Sequence, residues 1–259
     1  MDLFHMISRY TLRALLLLAV LFALIPQRSF AQTRVDDGIS TAEDVAIAFF
    51  HAAGSNPDFE KWAKAAPEFK RKSATRAPEF LYEEEQRLMK LWRDYDPARD
   101  LITIKASVDV ELKAVQNKDG NEDYWMYITF KEGQATYFPF VYRIYKFAII
   151  PQMIENLMMQ QITKEQYDMM RADFIANSMM QRANLYVQLK PVKAYVNQPY
   201  TIDNVEQWAL LADVVALTMR SQKTDAIFWN YGAKWYVSPV TKELRDLYKA
   251  PSSDGSLGN

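Results

Sequence analysis

After Asp100 the chain switches to two-residue alternation, and no other feature constrains its fold as tightly. In "LITIKASVDVEL", Ile102, Ile104, Ala106, Val108, Val110 and Leu112 alternate with Thr103, Lys105, Ser107, Asp109 and Glu111. Successive side chains of a strand point to opposite faces, so this pattern predicts a strand with one face in the core and one in water. "NKDGNED" follows, with Asp119-Gly120 suited to positive φ, and "YWMYITF" returns, so residues 101–130 read as a long hairpin. "YFPFVYRIYKFAII", residues 137–150, is a third apolar stretch of strand composition, with Pro139 placing it at an edge or marking the strand start.

Before Asp100 the pattern is helical. Ser40-Thr41-Ala42-Glu43 has capping-box spacing, Val45, Ala48, Phe49 and Ala52 then recur at helical intervals, and Gly54 can leave the helix with positive φ. Asn56-Pro57 offers a second cap with Pro at the first helical position, and "DFEKWAKAA" runs on to Pro67. A third helix should follow Pro78, with Leu81, Leu88, Leu91, Trp92 and Tyr95 on one stripe, ending at Asp96-Pro97.

Beyond Ile150, "QMIENLMMQQI" and a capping box at Thr163-Lys164-Glu165-Gln166 predict two consecutive helices over 151–182. "LYVQLKPVKAYV" returns to strand character, with a bulge or edge at Pro191. Residues 205–220 fit either period. Val205, Trp208, Ala209, Ala212, Val215 and Met219 suit a helix, while "LLADVVALTMR", "SQKTD" and "AIFWNY" suit a hairpin, toward which the β-branched and aromatic residues lean. Ser238-Pro239 can open a short last helix, and residues 251–259 have the composition of a disordered tail. The layout predicts an α+β fold: N-terminal helices followed by an antiparallel sheet built from hairpins, with a helical pair inserted between the hairpins. Residues 32–250 read as a single domain.

"ALLLLAVLFALIPQRSFAQT", residues 14–33, decides the address. Its uncharged run from Ala14 to Ile25 is twelve residues, whereas a helix crossing a bilayer needs about 20. Arg9 and Arg13 precede it, and Ser29-Phe30-Ala31 presents small residues at the positions a signal peptidase reads. Residues 1–31 therefore read as a signal peptide cleaved between Ala31 and Gln32, which predicts a periplasmic or secreted protein with no transmembrane segment after cleavage. Cleavage removes three arginines and one aspartate, moving the formal charge from −1 to −3. That mild acidity argues against nucleic acid as a partner, which demands a basic face.

The composition excludes much chemistry. The chain has no cysteine, so thiolate catalysis, disulfides and Cys-based metal sites are absent. Its two histidines are His5, inside the signal, and His51, so a multi-histidine zinc site cannot form. His51 sits in "AFFHAAG" with no nucleophile motif elsewhere and reads as a helix histidine suited to a C-terminal dipole. Neither G-x-G-x-x-G nor G-x-x-x-x-G-K-[ST] occurs. No metal or cofactor is expected, and no catalytic residue is assigned.

Four positive features remain. Met158-Met159, Met169-Met170 and Met179-Met180 could offer thioethers to Cu(I), but core filling explains them better. "KRKSATR", residues 70–76, is offset by Glu83-Glu84-Glu85 and reads as a solvated surface. The many carboxylates could supply a glycosidase pair, though no pair stands out. Trp229, Tyr231, Trp235, Trp125 and Tyr127 are the candidate ligand-binding residues, since a ring exposed beside polar groups can stack on a sugar or peptide; burial in the core is the competing reading.

"NPDFEKWAKAAPEFKR" and "RDYDPARDLITIKASVDVEL", within residues 56–112, together with "LKPVKAYV" and "LLADVVALTMR", resemble an uncharacterised group of secreted proteobacterial proteins. The resemblance implies export to a bacterial periplasm and strand character for residues 207–220, and it transfers no catalytic residue. These readings converge on an exported noncatalytic protein that binds an envelope protein or glycan. The alternative is a carboxylate-dependent hydrolase acting on carbohydrate.

Overall fold

A computed structural model describes residues 38–130, 137–178 and 180–237. The predicted signal peptide with its cleavage point at Ala31 and Gln32, the helix expected after Ser238 and the tail at 251–259 lie outside the described residues. From Ile39 onward the described residues belong to one compact unit.

Three helices precede the sheet: α1 (Ala42–Ala53), α2 (Phe59–Lys64) and α3 (Ala77–Asp94). The cap of α1 is Thr41, one residue later than the predicted Ser40, because Asp44 at the third helical position completes the reciprocal pair of bonds. Ser40 instead ties the start of α1 to the sheet, its Oγ accepting from Thr103 N at 2.9 Å. Asp58, not Asn56, caps α2 by accepting from Lys61 N at 2.9 Å.

The frame of the molecule is one curled, mixed half-barrel sheet. Strand accounts for 41% of the described residues and helix for 29%, so the expected fold of helices beside an antiparallel sheet is replaced by a sheet that wraps its own core. The strands are β1 (Ile102–Gln116), β2 (Glu122–Phe130), β3 (Phe138–Tyr142), β4 (Tyr145–Gln152), β5 (Met159–Ile162), β6 (Arg182–Ala194), β7 (Tyr200–Ile202), β8 (Val205–Ser221) and β9 (Ile227–Gly232). Their order is β3-β4-β8-β6-β1-β2-β5, with β7 and β9 also pairing with β8. β4 and β8 are parallel, which overturns the purely antiparallel expectation. A parallel pair needs a long crossover; here it runs through β5, a helix, β6 and β7.

Two further predictions change. The stretch 137–150 is not one strand but the hairpin β3–β4, turned at Arg143, whose backbone is left-handed (φ 55°). The helical pair over 151–182 is also absent as such. β4 continues through Pro151 to Gln152, Met153 breaks the chain direction at φ 60°, and Met159–Ile162 becomes β5 on the free side of β2. Of the first helix only a single 3-10 turn forms, Ile154–Leu157; the second forms as α4 (Lys164–Ala176), with both capping-box bonds made between Thr163 and Gln166. The apolar residues of "QMIENLMMQQI" are satisfied by sheet pairing and by the buried Ile154, so tertiary pairing overrides their short helical pattern.

Alternation sorts the sheet into two faces. Val108, Val110, Met126, Ile128, Leu185, Val187, Leu189, Leu210, Leu217 and Met219 point inward to a core shared with α1. On β8 the inward set passes from Leu210, Ala212 and Val214 to Leu217 and Met219 because Val215 is an extra residue opposite the Gln188–Leu189 step. α4 packs against β2 and β9, placing Met170 and Phe174 in the core.

Candidate functional site

The five candidate aromatics fall into three places. Trp229 and Tyr231 share the inward face of β9 with ring centroids 6.4 Å apart; Trp229 is only 7% exposed and belongs to the core. Trp235 lies beyond β9 and is 56% exposed. Trp125 and Tyr127 lie on the outward face of β2, opposite in direction to the buried Met126 and Ile128, and both are partly exposed. Strands β8, β6 and β1 stand between β9 and β2 in the sheet order. No single site along the sheet therefore unites the five.

The outward face around β2 mixes rings and charge. Lys113 pairs with Trp125 and Glu111 with Tyr127 across the β1–β2 ladder. The Lys113 ammonium sits 4.6 Å from the Tyr127 ring centroid and 3.1 Å from Glu111. On the same outward side farther along, Tyr186 is sandwiched between Lys105 at 5.5 Å and the Arg220 guanidinium at 5.1 Å. Tyr186 is itself buried, so the rings open to a ligand are those of the partly exposed Trp125 and Tyr127, which lie along a strand instead of in a pit.

A second cluster was not legible in the sequence. Arg87 of α3 donates to both oxygens of Glu43 on α1 (2.7 and 2.8 Å) and to both oxygens of Glu84 (2.8 and 2.8 Å). The Tyr142 hydroxyl donates to Glu43 at 2.6 Å, and Arg143 donates to Glu84 at 2.7 Å. Burial alone would raise the Glu43 carboxyl, but hydrogen bonds from Arg87 and Tyr142 outweigh it and hold the group below its usual range. The Arg87 hydrogen bond likewise holds Glu84 low against burial. Burial, reinforced by the bond to Glu43, pushes the Tyr142 phenol up.

These are two carboxylates brought together by the fold, and their environment suits structure better than hydrolysis. A glycosidase needs one carboxylic acid kept protonated and a second group across an open gap. Glu43 and Glu84 instead share one guanidinium and are kept ionised. His51 is also committed: its ring stacks on Trp92 with centroids 3.5 Å apart, and its Nε2 lies 2.9 Å from the Trp92 carbonyl oxygen. Sequence spacing could not reveal these links, because Glu43 and Arg87 are 44 residues apart and Arg87 sits in a run of charges.

Among the described residues no group of three or more His, Asp or Glu side chains could hold a metal. The methionine pairs are divided: Met170 is fully buried, whereas Met159 and Met169 are exposed; Met179 lies outside the described residues. Residues 70–76 are all exposed. No helix among the described residues is long and apolar enough to cross a membrane. Comparison with protein-family models, curated proteins and solved structures gave no match.

Proposed function

We propose that this chain is an exported, noncatalytic binding protein of the bacterial envelope, and that the outward face of β2 holds an envelope glycan. The observation that carries this reading is the placement of Trp125 and Tyr127, side by side on the solvent side of β2, with Lys113 4.6 Å from the Tyr127 ring. An aromatic pair that serves the core turns inward, as Trp229 does; one that turns outward offers ring faces to a ligand. A flat aromatic and charged surface suits an extended polymer, whose sugar rings stack while their hydroxyls meet Lys113, Glu111 and Gln161. Export is supported by the signal-like residues 1–31 and by the resemblance to secreted proteobacterial proteins. The arginine-bound state of Glu43 and Glu84 favours binding over hydrolysis.

Co-sedimentation of the purified protein with insoluble envelope glycan tests the proposal. The natural protein should be retained, and the Trp125→Ala/Tyr127→Ala double variant should be released. Equal retention of both, or turnover of the glycan by the natural protein, would overturn it. Retention by an envelope protein and not by glycan would assign the face to a protein partner.

A further inference from the structure

The outward face of β2 does not end at Tyr127. Trp125, Tyr127 and Thr129 alternate with the buried Met126, Ile128 and Phe130, so all three side chains leave the same side of the strand. The β1–β2 register sets Lys113 beside Trp125, Glu111 beside Tyr127 and Asp109 beside Thr129. On the other side of β1, Asp109 is paired with Arg182 of β6, whose Nε donates to Asp109 Oδ1 at 3.1 Å. Cross-strand partners share a face, so these side chains lie on one surface in successive rows. Thr129 lies four residues beyond Trp125, or about 13 Å at the usual strand rise of about 3.3 Å.

The row at Thr129 opens into a cleft. β6 joins β1 here through a tight turn at Gln181, whose carbonyl accepts from Val110 N at 2.8 Å while the Met180 carbonyl accepts from Arg182 N at 2.9 Å. Asp109, Glu111 and Thr129, with Met180, Gln181 and Arg182, line a space of about 320 Å3, at the lower end of the roughly 300–1,000 Å3 of small-ligand sites. Its charges cancel: Arg182 sits 3.1 Å from Asp109, and Lys113 sits 3.1 Å from Glu111. These four side chains are between 44% and 60% exposed, and pairs so open to water contribute little to stability. A carboxylate and a guanidinium each present polar atoms side by side, which suits neighbouring hydroxyls on a sugar ring. Thr129 adds a hydroxyl, and Met180, 57% exposed, adds an apolar flank.

We infer that the glycan held on β2 runs lengthwise along the strand, from Trp125 across Tyr127, and seats a further, uncharged sugar in this cleft, with neighbouring hydroxyls on Asp109 and Arg182. The inference rests on the reading of the β2 face as a glycan site, and it adds the direction of the chain and a second point of attachment.

The test is titration of the purified protein with chitobiose and chitotetraose, uncharged chains of two and four N-acetylglucosamine units, followed through the Trp125 indole N–H resonance, assigned with Trp125→Phe. The tetramer is long enough to reach the cleft from Trp125, whereas the dimer covers the aromatic rows alone. The natural protein should bind the tetramer about tenfold more tightly than the dimer, the scale of a charged hydrogen bond. The Asp109→Ala/Arg182→Ala double variant, changed at two exposed positions, should keep the dimer affinity and the urea midpoint and lose the tenfold gain. Equal binding of dimer and tetramer by the natural protein, a gain that persists in the double variant, or a variant that loses both chains alike would each overturn the inference and leave the β2 face standing. No saturable shift with either chain at millimolar concentration would overturn the inference together with the glycan reading of that face.

Discussion

On the inward face of the sheet, Phe147, Leu185, Leu189 and Leu210 are wholly buried, whereas the eighteen-residue α3 buries only Leu88 completely. The sheet is held by apolar area removed from water. α3 is held in large part by Arg87 gripping Glu43 and Glu84, by Arg143 reaching Glu84 from the β3–β4 turn, and by the stacked His51 and Trp92. The first kind of attachment is indifferent to ionisation. The ion-paired part of the second is lost when its two carboxylates are protonated, so the molecule combines a core that ignores pH with a helix whose attachment is partly pH-sensitive.

The largest expected effect lies on the sheet side. Phe147→Ala removes a ring that meets Phe49 at 5.0 Å and Tyr145 at 5.9 Å, and should cost about 3–5 kcal/mol. Urea unfolding at neutral and at mildly acidic pH should give the same loss. A loss that grew with acidity would show that the two attachments are coupled.

Arg143→Met comes next. The side chains of Arg143 and Glu84 are 10% and 11% exposed, so the substitution strands a shielded carboxylate that keeps only Arg87. The cost should be about 1–3 kcal/mol, below that of a fully uncompensated buried charge. A midpoint unchanged from the natural protein would mean that Arg87 alone holds α3.

The pH dependence follows the sign of the shifts. Glu43 and Glu84 are held below their ordinary value of 4.5 when folded. Their contribution is fully present above that value and is lost as pH falls through the lower folded values. The urea midpoint should therefore decline below about pH 4.5, and Glu84→Gln should lower the neutral midpoint while flattening the decline. An equally steep decline in Glu84→Gln would place the acid sensitivity elsewhere.

The smallest stability effect is expected on the outward face. Trp125→Ala should change the urea midpoint by the equivalent of about 1 kcal/mol or less, yet it should weaken glycan retention. A larger loss of stability would turn Trp125 into a packing residue and undercut its assignment to a ligand.

What the sequence made legible was local. The alternation of Ile102 to Leu112 places β1, and Asp119-Gly120 marks its turn, where Gly120 takes φ 81°. Thr163 with Gln166 marks the start of α4. These features are readable because each residue's neighbours in sequence are its neighbours in the element. The parallel pairing of β4 with β8 joins Phe147 to Trp208, and no local period encodes such a partner. The split between Trp125 and Trp229 is similar. Both sit in alternating aromatic runs, and only the neighbouring strands decide which parity faces the core. Arg87 reads as one solvated charge among Glu83, Glu84 and Glu85, and its role comes from Glu43 on a different helix.

The order of the sheet has one more consequence. Among the described residues the path of the sheet ends at β3 on one side and β5 on the other, and strand margins invite strand addition from a second chain. β3 carries Pro139, which has no N–H to give to any ladder, and β5 is four residues long. The seventeen-residue β8, the most aggregation-prone length in the molecule, is kept in the interior between β4, β6 and β9. The two ends of the sheet path are thus poor templates for strand addition, which works against edge-to-edge association there.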